Sequence, residues 1–322
     1  MLPVATGEFD LIRRYFTGLG GDGDGIDLAV GDDCALLSIP ADRQLAVTTD
    51  TLVESVHFPA NCDPALLARR ALRVNLSDLA AMGARPLGFQ LALTLPSVDV
   101  SWLAAFSLGL AQDASTFQCP LVGGDTTKGP LTLSITLMGT VERNHALRRD
   151  GAADGDYLYV TGTPGDAGGG LAIMTSGGER HNQYLLERYW LPTPRLAAGE
   201  LLAGFASAAI DVSDGLVQDA GHLCHHSGLG CTLVWDQLPL STPLVDEFGV
   251  EQATRWALSA GDDYELCFSV PPGRAAEMEL AMAGAGEQVT RIGVMGRGIS
   301  GVSCVSSDGQ PFRLEQAGYA HF

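Results

Sequence analysis

Lysine is almost missing from this chain of 322 residues: Lys128 stands alone among 19 basic side chains, the other 18 being arginine. Any chemistry that needs a lysine ammonium group therefore needs Lys128. A basic stripe is missing too. Acids number 38 and the formal net charge is −19, which argues against general binding to nucleic-acid phosphates. No apolar run approaches the roughly 20 residues that span a bilayer. The N-terminal "MLPVATGEFDLIRRYF" lacks the charged, apolar, small-residue order of a secretory signal. The seven cysteines, at 34, 62, 119, 224, 231, 267 and 304, contain no CxxC pair, so reduced thiols in a cytoplasmic protein are expected.

Several catalytic signatures are absent as well. There is no GxxxxGK[ST] phosphate loop. No GxSxG elbow and no Ser-His-Asp order can be read, which leaves nucleophilic hydrolysis unsupported. In "GHLCHHSG", His222, His225 and His226 fall at helical spacing beside Cys224, but no second Cys/His cluster exists to complete a structural zinc site.

Hydrophobic content of 46% and charged content of 18% describe an ordinary globular protein, and the length suits two domains. Three segments alternate strictly: 45–50 ("LAVTTD"), 89–95 ("FQLALTL") and 131–141 ("LTLSITLMGTV"). They are predicted to be strands with one buried and one milder face. Segments 64–84 and 101–115 have helical spacing, with Pro64 suited to a first turn and Gly83 to a stop.

Strand and helix patterns alternate again in the second half: "DYLYVTG", "GDAGGGLAIM", "RLAAGELLAGFASA", "AAIDVS", "DGLVQDAGHLCHH", "CTLVW", "YELCFSV" and "RAAEMELAMAGA". The fold class expected is α/β (α+β) in two domains, 1–148 and 149–322, joined near the polar "RRDGAADGD". The tract "GLGGDGDG" (18–25) reads as a loop.

Among the acids, 25 are aspartate and 13 glutamate. Asp suits turns and caps, and it also suits metal sites. In "VGDDCALL", Asp32 and Asp33 stand side by side, which requires either a solvated turn or a cation between them. Asp50 ends a strand pattern after Thr48 and Thr49, and Asp78 lies on a helix one turn after Asn75. Asp125 stands in "LVGGDTTKG", Asp211 and Asp214 in "AIDVSDGL", Asp262 and Asp263 in "SAGDDYEL".

Singly, each reads as a turn or cap residue. Asp50, however, is bounded by strand residues and Asp78 by core-facing helix, where an unpaired carboxylate is costly. Hard oxygen ligands with few histidines fit Mg²⁺ better than zinc, and Mg²⁺ in number implies phosphates. Two cradles are available. "LVGGDTTKG" offers a close backbone and Lys128; "VTGTPGDAGGGLAIM" offers either an anion-accepting helix N-terminus or only tight packing. Ser213 and Asp214 read as a helix N-cap and a first-turn acid, and His57 follows the Asp50 strand within a few residues.

Eight motifs now stand in order: "GEFDLIRRYF", "GDDCALL", "TTDTLVESVHF", "NLSDLAAMGA", "GGDTTKG", "VTGTPGDAGGGLA", "IDVSDGL" and "SAGDDYELCF". Together they closely resemble the thiamine-monophosphate kinase family, from Gly7 to the terminal "GYAHF". That family is grouped with aminoimidazole-ribonucleotide synthetase, selenophosphate synthetase and a hydrogenase-maturation protein.

The resemblance implies an ATP-binding fold without a P-loop, and a homodimer joined through N-terminal-domain strands. It implies several Mg²⁺ ions held by Asp33, Thr48, Thr49, Asp50, Asp78, Asp125, Asp211 and Asp214, with Asp50, Asp78 and Asp125 at the catalytic centre. ATP contacts would come from Gly124, Asp125, Arg149 and Ser213. His57 would touch the thiamine phosphate, and Asp262 and Gln316 occupy the remaining substrate positions. Two departures stand out: Asp262 replaces the glutamate that relatives commonly carry, and Gln316 replaces an aromatic.

On this resemblance Asp33 would bind metal while Asp32 braces the turn. Domain 1–148 would bind nucleotide and Mg²⁺ and dimerise, and 149–322 would complete the ATP and thiamine-phosphate sites. The implied reaction is ATP-dependent phosphorylation of thiamine monophosphate to thiamine diphosphate, the last step of that cofactor's synthesis. Selenophosphate synthetase would want Cys and Lys in the N-terminal glycine-rich segment, and "GLGGDGDG" has neither. A non-catalytic sensor of thiamine phosphates or nucleotide is the rival from another class, and its signature would be binding without ADP release.

Overall fold

The computed structural model describes residues 8–21, 23–178 and 180–319. Gly7, Asp22 and the last three residues of "GYAHF" lie outside them. The chain forms two compact units: one runs to Leu79 and resumes over Ala84–Arg143, and the other takes Ala80–Gly83 and everything from Asn144.

The first unit begins with α1 (Glu8–Leu11), a wider π-type turn over Ile12–Phe16, a tighter 3-10 turn over Thr17–Leu19, and a short ladder of β1 (Ile26–Leu28) with β2 (Leu36–Leu37). The main elements are β3 (Arg43–Val53), α2 (Pro64–Ala81), β4 (Arg85–Leu95), α3 (Val100–Thr116), β5 (Leu121–Lys128) and β6 (Thr132–Glu142). The sheet order is β3-β6-β4-β5, antiparallel except for β4 with β5.

Helix α2 starts because the Asp63 carboxylate accepts the Ala65 and Leu66 N–H groups at 2.8 and 3.1 Å, with Pro64 in the first turn. It stops at Gly83, whose φ of +65° lets the chain turn back. Asp99 caps α3 in the same manner, accepting from Ser101 and Trp102. Buried Leu67, Leu72, Leu76, Leu79, Leu103, Phe106 and Leu110 from the helices share the core with Phe89, Leu91, Leu93, Leu133, Ile135 and Leu137 of the sheet. Buried Asp113 of α3 accepts from Arg69 and Arg73 of α2.

The alternation in β4 and β6 divides buried from milder positions as the sequence implied. In strand β3 the structure decides which face is which. Leu45 and Val47 are 47% and 57% exposed, and this row continues through Thr49 and Thr51, which bond Thr136 and Ser134 across the ladder. Alternation fixes that there are two faces, not which one is covered. Here the helices cover the row of Thr48, Asp50 and Leu52.

The second unit contains β7 (Tyr157–Thr161), α4 (Asp166–Thr175), α5 (Gln183–Trp190), α6 (Leu196–Leu202), β8 (Ala208–Val212) and α7 (Leu216–Ser227). It continues with β9 (Gly230–Val234), α8 (Thr242–Phe248), α9 (Val250–Ser259), β10 (Glu265–Val270), α10 (Ala275–Gly284), β11 (Val289–Gly296) and β12 (Val302–Val305). The six strands lie in the order β12-β9-β11-β7-β10-β8, antiparallel except for β12 with β9.

Both faces of this sheet are covered. Leu158, Val160, Ile210, Val212 and Cys267 pack with α7 and α9, whereas Tyr159, Ala209, Leu266 and Phe268 pack with α6 and α10. Helix α6 ends at Leu202, short of the expected "RLAAGELLAGFASA". The unanticipated α5, α8 and α9 follow Asn182, Ser241 and Gly249 respectively.

A buried ion network joins β10 to the α5–α6 region. Fully buried Glu265 accepts from Arg188 (2.6 Å), Arg195 (2.6 and 2.8 Å) and the Thr161 hydroxyl (2.6 Å). Burial pushes its carboxyl up, but the two guanidinium groups outweigh that and hold it below the usual glutamate range. Gly162 sits against this network; a Cβ there would lie 2.1 Å from Glu265 Oε1. Removing one partner of a buried charge network strands the others. Glu265→Ala is therefore expected to lower unfolding free energy by about 3–5 kcal/mol, measured by urea denaturation. A loss within error would show that Arg188 and Arg195 need no partner.

Candidate active site

The centre of interest in the first unit is where β3 meets α2. Asp50 and Thr48 lie on the helix-covered face of the edge strand. The Thr48 hydroxyl donates to the Asp78 carboxylate, and the Asp50 N–H donates to Asn75 Oδ1 at 3.1 Å. Asn75 and Asp78 are three residues apart on α2 and so share one helix face. Burial, and then the charge of Asp78, push the Asp50 carboxyl up to about 7. The sequence-derived candidates Thr48, Asp50 and Asp78 thus come together. Thr49 does not join them by its side chain: its hydroxyl is 2.9 Å from Thr136 on the opposite face.

Asp125 is also set apart. It is exposed on β5 and in register with exposed Ala92, between buried Leu91 and Leu93 on β4. It therefore stands on the open face. The segment "LVGGDTTKG" forms strand β5 as far as Lys128, so its first two glycines lie in the ladder. Gly124, at φ +153°, is required by the ladder itself, since a Cβ would lie 2.0 Å from the Leu91 carbonyl oxygen. Lys128 ends this strand, exposed.

Asp33 is exposed in its turn, and its N–H donates to Asp32 Oδ1 at 2.8 Å, so Asp32 braces the turn. His57 follows β3, with Nδ1 accepting the Val53 N–H at 3.0 Å. A cavity of about 210 Å³ lined by Glu54, Cys62 and Trp102 among others touches none of the candidate residues.

In the second unit, Asp211 is buried at the end of β8, and Ser213 and Asp214 follow in the turn before α7. Ser213 is not the cap. The helix begins after Gly215, and one oxygen of buried Asp219 accepts the N–H groups of Ser213, Asp214 and Gly215, each at 3.1 Å. Burial first, and then Asp214, push the Asp219 carboxyl up to about 7 against those three donors.

Single ligand atoms of Asp214, Asp219 and His222 lie within 4.8 Å of one another. His225 and His226 are exposed, and His226 Nδ1 is 2.8 Å from the His222 carbonyl. Arg149 is exposed and its carbonyl accepts from Ser227.

The turn at Asp262–Tyr264 is unusual: both residues have positive φ, +70° and +51°, and the Tyr264 hydroxyl donates to Asp262 at 3.2 Å. Buried Asp263 between them accepts from Gly165 and Ala167 at 2.6 and 3.2 Å, at the start of α4. Burial pushes its carboxyl upward. The N-terminus of α4, offered above as an anion site, is thus filled by the protein's own acid. The glycines behind it pack against Trp256, Leu244 and Leu185, so tight packing explains the run. Gln316 is exposed.

Residues 31–141 match the AIR synthase related protein N-terminal domain, and 153–303 the corresponding C-terminal domain. The chain is 46% identical to the thiamine-monophosphate kinase of Salmonella typhimurium over 99% of both chains. It belongs to the thiamine-monophosphate kinase family. The crystal structure of thiamine-monophosphate kinase from Stenotrophomonas maltophilia K279a is similar with a TM-score of 0.84 at 42% identity, covering 90% of this chain and 93% of that one. AaThiL complexed with AMPPCP and TMP is similar with a TM-score of 0.78 at 31% identity, over 100% of this chain and 99% of its own.

As a member of the thiamine-monophosphate kinase family, the chain is a phosphotransferase with a phosphate group as acceptor. Two residues that shape its candidate sites were not singled out from sequence, Asp219 and the capping role of Asp263. Each carried a faint signal: an acid in the first turn after "SDG", and an acid doubled beside Asp262.

The opposed faces of β3 give a direct test. Thr48→Val, which removes the hydroxyl bonded to the Asp78 carboxylate, is expected to lower turnover about tenfold or more, while Thr49→Val leaves turnover near the parent value. Equal losses in a steady-state assay would show that the two hydroxyls act on one side.

Proposed function

We propose that this protein transfers the γ-phosphoryl group of ATP to thiamine monophosphate, giving thiamine diphosphate and ADP, in direct in-line transfer assisted by several Mg²⁺ ions. The observation that carries the reading is the Asp50–Asp78 pair. Two carboxylates on facing elements, one of them pushed up to about 7 by burial and by the other, make an oxygen-only donor set with the Thr48 hydroxyl. That set fits a hard divalent cation. Asp33, Asp125, Asp211, Asp214 and Thr49, the last through its backbone oxygen, are proposed as further ligands.

Bound Mg²⁺ would supply neutralisation of charge where the triphosphate of ATP and the phosphate ester of the acceptor approach each other. The protein's own groups bind and orient. Gly124, Asp125, Arg149 and Ser213 are assigned to ATP, and His57, Asp262 and Gln316 to thiamine phosphate. Lys128 and Arg149 are the candidate cations for the phosphate chain. The acceptor is already an anion, so the reaction needs alignment and charge stabilisation more than a strong base.

Residues 1–148 are assigned nucleotide, Mg²⁺ and dimer contacts, and 149–322 the remaining ATP and thiamine-phosphate contacts. Homodimer formation is supported by the exposed Leu45 and Val47 on edge strand β3. The reaction is placed last in thiamine diphosphate synthesis, in the cytoplasm. Among the described residues no helix is long and apolar enough to cross a membrane.

Phosphorus NMR of the protein with ATP, Mg²⁺ and thiamine monophosphate tests the reading. ADP and thiamine diphosphate are expected to rise in step, only in the complete mixture, and to stop on chelation of Mg²⁺. Asp50→Asn keeps size while removing the ligand charge, and should abolish turnover with an unchanged circular dichroism spectrum. Near-normal turnover in that variant would remove the metal assignment. Binding with no ADP release would replace the kinase with a sensor.

A further inference from the structure

We infer that Asn75 is a positioning residue for the cation site of Asp50 and Asp78, fixing the edge strand that carries one carboxylate against the helix that carries the other. The inference rests on the proposed reading of that pair as a Mg²⁺ site.

Among the described residues strand β3 is paired on one side only, with β6, so outward N–H groups along its free edge need other partners. The Asp50 N–H finds one in Asn75 Oδ1, at 3.1 Å. The same amide donates from Nδ2 to the Ala71 carbonyl at 2.9 Å, and Asn75 is only 1% exposed. Both ends of the amide are engaged, and turning it over would break both bonds.

Helix stability does not account for this residue. Asn is a weak helix former, and it sits among buried Leu72, Leu76 and Leu79, where an apolar side chain would serve the core. What Asn75 adds is its bond to the strand. The Thr48–Asp78 bond supplies a second link two residues earlier on the strand and three later on the helix. Two cross-links therefore join residues 48–50 to a single turn, 75–78. The like charges of Asp50 and Asp78 push the two elements apart. Asn75 holds the backbone of the very residue that is repelled. A cation placed between the carboxylates would meet them already at their working separation.

The test uses the full-length protein and manganese(II) alone, followed by electron paramagnetic resonance without nucleotide. Asn75→Leu, close in size, removes both amide bonds. Its Mn²⁺ affinity is expected to fall about 10–100-fold, the range for residues that orient metal ligands. In parallel, kcat should fall with KM for thiamine monophosphate unchanged, and raised Mg²⁺ should recover part of the rate. Unchanged Mn²⁺ affinity together with a lowered unfolding temperature would overturn the inference, leaving Asn75 a residue of the fold. Asn75→Ala decides the matter if the leucine variant does not fold, and failure of both to fold would overturn the inference in the same way. Asp50→Asn in the same assay separates the two readings. If it weakens Mn²⁺ binding and Asn75→Leu does not, only the positioning role falls. If it binds Mn²⁺ as the parent does, the metal reading fails and takes this inference with it.

Discussion

Like-charge repulsion at a half-buried edge strand is the constraint around which the first unit is organised. Asp50 is carried on β3 and Asp78 on α2, and burial first, then the charge of Asp78, oppose ionisation of Asp50. A fold could avoid this with an apolar residue at either position. Instead it builds the pair in and ties strand to helix twice beside it, at Asn75 and at Thr48. The capping of α2 by Asp63 and the Asp113 clamp on Arg69 and Arg73 give those ties a rigid base. Such an arrangement is sensible if a divalent cation arrives to relieve the repulsion, and phosphoryl transfer is chemistry that brings one.

The second unit handles buried acids differently. Glu265 is matched by two arginines, Asp263 by two amide groups at the head of α4, and Asp219 by three amides before α7. These carboxylates serve shape. They hold the β8–α7 turn that carries Ser213 and Asp214, and the strained Asp262–Tyr264 turn, in defined conformations. The contrast sets these matched acids apart from the Asp50–Asp78 pair.

Much of the fold was legible because strict alternation and amphipathic spacing report on backbone geometry directly. Strands β3, β4 and β6 and helices α2 and α3 were readable from Leu, Val and Thr rows, with Pro64 and Gly83 as punctuation. The sidedness of β3 was not legible, because Leu45 and Val47 alternate with Ala46 and Thr48 whichever face the helices cover. Thr48, Thr49 and Asp50 accordingly looked like one cluster, although period-two geometry must divide them.

Glycine was ambiguous for a related reason. In "LVGGDTTKG" and "VTGTPGDAGGGLA" the same residue type that lets a backbone approach a phosphate also lets it approach Leu91 or Trp256. Only three-dimensional neighbours tell these apart. Asn75 was visible one turn before Asp78, but its bond to the Asp50 backbone links residues 25 apart and leaves no local mark.

Crystals grown with Mn²⁺ and a non-hydrolysable ATP analogue allow an anomalous difference map at the manganese edge. A peak coordinated by the carboxylates of Asp50 and Asp78 is the expected result. Manganese bound elsewhere, with these two carboxylates contacting only protein or water, would contradict the central claim that their repulsion is built in to receive a cation.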